Sequence, residues 1–212
     1  MQNKTNKKEV NVAQRYFTQK KITVPEIIAL TALGISLILF FIGKDEVFNA
    51  SIALVPASII ALVVIKSNRV KDRDYDELLD KIISENDISP NASGTFKGYN
   101  FKKGRRLLGK DNKLRGEIYC ISRFSLGNES CDIEVSEINI PDSTIHNKTY
   151  TLPFGTDIEI TEDNIETPKA VRKATYLSFS TETGTVDIPF DDRSYDSSII
   201  IGKLTENNKG QP

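Results

Sequence analysis

The sequence predicts a membrane α-helical hairpin of two transmembrane helices, followed by a mainly β cytoplasmic domain. That domain is read as a small barrel or sandwich of about seven or eight antiparallel strands. Three observations predict this. Two long uncharged apolar runs stand between residues 27 and 65, basic residues are spread unevenly around them, and the hydrophobic period changes to two after Thr95.

The first run, Ile27 to Gly43, has 17 residues without a charge, and the second, Val47 to Ile65, has 19. At ~1.5 Å per residue these make helices of roughly 25 and 28 Å, against a hydrocarbon core of about 30 Å. Their polar content is Thr31 and Ser36 in the first, and Asn49, Ser51 and Ser58 in the second. A soluble core helix would show a fuller polar stripe. A signal peptide would have an apolar region of about 7–15 residues and a small-residue cleavage site. The first run is longer, begins after 26 residues and is followed at once by a second. A buried soluble hairpin is the remaining alternative. Basic residues number six before the first run (Lys4, Lys7, Lys8, Arg15, Lys20, Lys21), one in the turn (Lys44), and four after the second (Lys66, Arg69, Lys71, Arg73). The positive-inside rule then places both termini in the cytoplasm and the Lys44-Asp45-Glu46 turn outside. Ala53, Ala57 and Ala61 recur every four residues. Such a small-residue face lets helix backbones approach closely. It serves homo-oligomerisation or packing within the hairpin, on Gly34 and Ser36. Pro56 is placed to kink the second helix. Neither run holds a charge, so a proton relay or ion path has no residue to carry it.

Residues 1–21 read as a polar cytoplasmic tail, with a short interfacial helix near Val12–Phe17, and 22–66 as the membrane hairpin. Residues 67–94 read as an amphipathic helix, its apolar residues at Val70, Leu78, Leu79, Ile82 and Ile83, and then the linker "DISPNASG". Residues 95–205 form the β domain and 206–212 a frayed tail. Within the β domain, Ile118, Cys120, Ser122 and Phe124 alternate with Tyr119, Ile121 and Arg123. The phase of "CDIEVSEINI" slips between Val135 and Ile138, which a bulge would absorb. "TYTLPF", "TDIEIT", "ATYLSFS", "GTVDIPF" and "SSIIIGKL" are further strand candidates, and "NIETPKAVRKA" is the one helical turn expected among them.

Residues for catalysis are scarce. The one histidine, His146, lies in a loop-like stretch, and no glycine-rich phosphate loop, Cys-x-x-Cys or His-x-x-x-His occurs. No catalytic residue, metal ligand or cofactor is assigned, and the chain is not read as an enzyme. Cys120 and Cys131 are expected to stay thiols in a reducing compartment, lying close across a hairpin as small buried residues or, alternatively, as a metal or redox pair. The Asn-x-Ser/Thr triplets have no glycosylation meaning on the cytoplasmic side. Charge says more. Residues 97–115 carry eight bases against Asp111 alone, and 129–166 carry ten acids against Lys148 alone. Tyr99, Lys102, Lys103, Arg105, Arg106, Lys110 and Arg115 are therefore the candidate ligand-binding set. Arg forks and Lys point charges hold phosphate, and aromatic rings stack on a base. Anionic lipid headgroups are a second partner for the same charges. Pairing of the basic segment with the acidic half is the structural alternative. Duplex nucleic acid is not expected.

The layout resembles the two-transmembrane, β-strand-rich effectors of bacterial anti-phage defence. It is similar above all to the SMODS-associating 2TM effectors of cyclic-oligonucleotide signalling (CBASS), and also to two-transmembrane effectors partnered with retrons. The likeness runs over 27–65, the following helix, and the strands from 95 to 204. It implies a bacterial inner-membrane protein whose β domain binds a cyclic nucleotide, assembles, and breaches the membrane. No family motif is matched residue by residue, so no site residue is carried over. "EIYCIS" and "LPFGTDIEI" also look like strands of a PilZ-type cyclic di-GMP barrel. Cys120 stands where that family has an acidic residue or Asn, and the spacing is too long.

The functional expectation is an inner-membrane sensor-effector. Its β domain would recognise a phosphate-rich ligand or a partner and trigger oligomerisation and membrane disruption. The alternative is a membrane-tethered scaffold that recruits a cytoplasmic protein or anionic lipid and forms no pore.

Overall fold

A computed structural model describes residues 6–19, 22–44, 46–88, 94–182, 184–190 and 195–205. The elements are α1 (Asn6–Thr18), α2 (Val24–Ile42), α3 (Glu46–Ser67), α4 (Asp72–Glu85), β1 (Thr95–Tyr99), β2 (Arg106–Leu108), β3 (Leu114–Gly116), β4 (Ile118–Leu126), β5 (Ser130–Asn139), β6 (Thr144–Pro153), β7 (Ile158–Glu166), β8 (Val171–Thr181), β9 (Gly184–Phe190) and α5 (Tyr195–Thr205). The chain divides into two compact units, 18–71 and 1–17 with 72–212.

The unit 18–71 is the pair α2 and α3, both long and apolar enough to cross a membrane. Apart from Glu26, their buried residues are small. Ala29 and Ser36 are buried on α2, and Ser51 and Ser58 on α3. The seven-residue spacing on each helix makes one stripe along which the backbones can close together. Ser36 Oγ donates to Ala32 O at 2.7 Å and Ser51 Oγ to Phe48 O at 2.6 Å, so neither hydroxyl is orphaned. Ala53, Ala57 and Ala61 are exposed, so they do not form the contact with α2. Much of the remaining apolar surface is exposed, Phe41 by 81%. α3 runs through Pro56 as one helix. At the tight turn, a Cβ on Gly43 would collide with Leu39 O and the Val47 side chain. At the other end Glu26 pairs with Arg69, and Gln19 Nε2 donates to Val70 O at 2.9 Å.

The other unit is an antiparallel two-layer structure, open rather than closed into a barrel. One sheet has the order β1-β4-β5-β6, the other β7-β8-β9, and β2-β3 form a separate ribbon. Phe96, Phe124, Ile133, Val135 and Leu152 of the first sheet pack against Leu177, Phe179, Ile188 and Phe190 of the second. β1 and β9 come together at one side, where a Cβ on Gly98 would lie 3.4 Å from Pro189 Cβ. They are not hydrogen-bonded neighbours.

Several sequence expectations change here. Nine strands are present among the described residues rather than seven or eight. The bulge expected between Val135 and Ile138 is absent, because β4 and β5 pair without a break from Ile118↔Asn139 to Leu126↔Cys131. The phase slips because both faces of this sheet are covered. Val135 faces the second sheet, while Ile138, of opposite parity, faces the side where α4 lies. The buried face of α4 includes the expected Leu78, Leu79, Ile82 and Ile83 and adds Tyr75, while Val70 is buried just before the helix. "SSIIIGKL" lies in helix α5, which places Ile200 and Leu204 four residues apart in the core. "NIETPKAVRKA" is the β7–β8 turn, closed by Thr167 N donating to Ala170 O at 3.1 Å. The N-terminal segment forms α1, docked on α4 by Tyr16 and Phe17. Most of the 87–94 linker and all of 206–212 lie outside the described residues.

The two-faced sheet makes a direct prediction. Ile133→Ala and Ile138→Ala remove side chains that are both fully buried. Each is expected to lower stability by about 2–5 kcal/mol in urea unfolding. A near-neutral Ile138→Ala would show that the face under α4 is not packed.

Candidate functional site

Among the described residues, two openings in the β unit are lined by lysines. The larger, about 360 Å³, lies beside the β1/β9 seam. Lys97, Tyr99 and Phe101 line it from β1 and the residues after it, while Glu162, Lys173 and Thr175 line it from the second sheet. Lys173 Nζ donates to Glu162 Oε2 at 2.6 Å. The Tyr99 ring is tilted against Phe101 at 5.8 Å and meets Tyr119 edge-on at 4.9 Å. Burial pushes the Tyr99 hydroxyl well above its ordinary pKa, so it stays a neutral donor. Lysines beside aromatic rings suit a flat anion, the phosphate on the ammonium groups and the ring system on the aromatics.

The smaller cavity, about 120 Å³, lies between the sheets and is lined by Lys102, Lys103, Cys120, Glu137, Lys148 and Asp187 among others. Its charges are largely matched already. Lys102 Nζ is 2.9 Å from Asp187 Oδ1, and Lys103 Nζ is 2.5 Å from Glu137 Oε2. Burial alone would raise the Asp187 pKa, but the Ser178 hydroxyl and the Lys102 ammonium outweigh it and hold that carboxyl low.

The seven sequence candidates therefore do not converge on one site. Tyr99 lines the cleft, and Lys102 and Lys103 line the cavity. Arg105 pairs with Glu117 and lies 5.7 Å from the Phe17 ring centre, and Arg106 and Lys110 are exposed. Arg115 is only 2% exposed, held between Asp76 and Asp111. The segment works largely as a strap. Phe101 and Leu114 cover Ile165, Ala174 and Tyr176 on the outer face of the second sheet. Phe101 N donates to Tyr176 Oη at 3.0 Å, and Lys102 Nζ sits 4.6 Å from that ring's centre.

On its other side the strap grips the helices. Arg115 Nε and Nη2 donate to Asp76 at 2.7 and 2.6 Å, while Nη1 and Nη2 donate to Asp111 at 2.8 and 2.7 Å. Tyr75 Oη donates to Gly116 O at 2.7 Å. Tyr75 stacks on Tyr16 at 4.5 Å, and Tyr16 Oη donates to Asp72 Oδ1 at 2.9 Å. Asp72 Oδ2 also accepts from Lys110 N at 2.7 Å. A Cβ on Gly109 would collide with Arg115, Asp111 and Asp72. Burial raises the pKa of the Tyr16 and Tyr75 hydroxyls, so both remain protonated.

Cys120 and Cys131 are free and buried. They are not close across the hairpin. Cys120 sits opposite Glu137 and Cys131 opposite Leu126, six residues further along the ladder, or about 20 Å. Burial pushes their thiols up to about 12 and about 11. No group of His, Cys, Asp or Glu among the described residues could hold a metal ion.

The sequence reading did not place Lys173, Thr175 and Phe190 in a site. A signal was present, since in "KATYLSF" Lys173 and Thr175 share a face with the core residues Leu177 and Phe179. They carry the core face of the sheet outward to a polar rim. No family model matches the chain, and no curated protein or solved structure matches it. The class that the fold defines is an open antiparallel β sandwich joined to a pair of long apolar helices.

The Arg115 clasp has a pH signature. Hydrogen bonds from Arg115 hold the Asp111 carboxyl far below its ordinary range. Such a group contributes stability above its unfolded value of about 4 and loses it as pH falls toward the depressed value. Urea midpoints should drop steadily from pH 5 to pH 2. Arg115→Met should lower stability at pH 7 by about 1–3 kcal/mol, less than for a fully buried pair because both carboxylates are partly solvated. It should also flatten the acid limb, and an unchanged limb would remove the clasp as its source.

Proposed function

We propose that the protein is a membrane-anchored sensor-effector. α2 and α3 span the bilayer, and the β unit receives a phosphate-bearing ligand in the cleft at the β1/β9 seam. The observation that carries this is the chain of contacts from cleft to clasp. The Phe101 ring lines the cleft and packs 3.3 Å from where a Gly116 Cβ would stand. Gly116 O accepts from Tyr75, which stacks on Tyr16. The chain enters the apolar pair just after Tyr16 and leaves it just before Asp72, and these two residues are hydrogen-bonded to each other. A chain that leaves and returns at one clasp crosses a bilayer an even number of times. The excess of basic residues on both flanks then favours the cytoplasmic side for the β unit.

In this reading a ligand acts only if it binds the assembled form more tightly than the resting one. The exposed Ala53, Ala57 and Ala61 face supplies a surface for helix assembly. Membrane disruption on assembly is the mode of action of the two-transmembrane defence effectors that the layout resembles. The second reading is a tethered scaffold without pore formation. It is favoured by the internal pairing of Lys102, Lys103, Arg105 and Arg115, which removes much of the basic segment from ligand binding.

Both readings are separable with the full chain in dye-loaded liposomes. A panel of cyclic nucleotides is expected to contain one that raises the melting temperature and releases dye. Lys97→Glu with Lys173→Glu should abolish the stabilisation. Stabilisation without release supports the scaffold. No stabilisation by any of the panel, or stabilisation that survives the double variant, removes the cleft as the site.

A further inference from the structure

The two sides of the β sandwich differ. At one side β1 meets β9, and the strap runs from Tyr99 of β1, beside Gly116, to the outer face of β7 and β8. At the other, β6 and β7 are the terminal strands of their sheets. They have ten and nine residues and pair in unbroken register with their inner neighbours. Edges are commonly blunted by proline, bulges or inward-pointing charge. β6 has proline only at its last residue, Pro153, and of these devices it carries inward charge alone, at Lys148, as β7 does at Glu162. The gap between the two edges also leaves core surface uncovered. Ile160 pairs with the fully buried Leu177 and shares its face, yet is 49% exposed.

The two edges carry opposite charge. β6 has Lys148 and His146 and no acid, whereas residues 157–166 hold Asp157, Glu159, Glu162, Asp163 and Glu166 and no base. We propose that these edges are an interface between two copies of this chain, each β6 pairing with the partner copy's β7 about a two-fold axis along the strands. Two symmetric arrangements could join the edges. The one that keeps the layers pairs like strand with like and brings five acids against five. Like charges directly opposite are destabilising. The one that exchanges the layers sets Lys148 among acids and covers Ile160 in both copies. It is isologous, so it closes as a dimer and leaves neither edge open. This interface stands independently of whether α2 and α3 cross a bilayer.

The test uses the full chain in detergent micelles, by sedimentation across a concentration series with hydrogen exchange in parallel. A reversible dimer is expected, with amides in 144–153 and 158–166 slowing as concentration rises. Ile160→Lys and Lys148→Glu should each raise the dissociation constant at least tenfold. Circular dichroism should show both variants folded, since one position is half-exposed and the other exposed. A monomer at every concentration overturns the proposal. So does a dimer that neither edge variant weakens. If Ala57→Leu dissociates the dimer and the edge variants do not, the contact belongs to α3 and the edge interface is wrong.

Discussion

Burying a guanidinium requires that acids surround it, and Arg115 meets that requirement with carboxylates from two different elements. A cation this deeply buried would be costly without partners. Its satisfaction fixes the position of Asp76 on α4 and of Asp111 in the loop between β2 and β3. With α4 set in place, its apolar side covers one face of the four-stranded sheet, and Tyr75 reaches both Gly116 and Tyr16. The strap, the two-faced sheet and the docking of α1 all follow from that one geometry. Gly109 belongs to it as well, since any side chain there would push the loop off the guanidinium.

Much of the architecture was legible because it is written in local period. The two uncharged runs, the amphipathic stretch at 72–85 and the alternation of β4 to β9 read correctly as elements, whereas β2 and β3 were hidden in the basic segment. The failures share a cause, which is that burial comes from partners remote in sequence. Ile138 broke the apparent phase of β5 because the far face of its sheet is covered by α4. Ile199–Ile201 reads as a strand by β-branching, yet packing selects the helical spacing of Ile200 and Leu204. The basic segment looked like one ligand surface because charge counting cannot see Glu137, Glu117, Asp76 and Asp187 arriving from elsewhere. The alanine face was visible in the sequence, but the contact of α2 with α3 instead uses Ala29, Ser36, Ser51 and Ser58, at seven-residue spacing.

The two seams of the sandwich divide its possible work. At the β1/β9 side, Gly98 packs on Pro189 and leaves the cleft next to the strap. At the β6/β7 side no strap is found among the described residues, and the two edge strands are complementary in charge. Ligand recognition and self-association would thus occupy opposite sides of one small domain. Both can proceed without competing for surface.

The central claim is that the chain crosses the bilayer twice, with both connections on the side of the β unit. Cysteine labelling in intact bacterial cells tests it most directly. The native thiols give little background, since Cys120 and Cys131 are buried and hard to ionise. A membrane-impermeant maleimide should label Lys44→Cys from outside, and label Thr18→Cys only after the inner membrane is opened. Labelling of Thr18→Cys in intact cells, or of neither position until the membrane is opened, would contradict the hairpin.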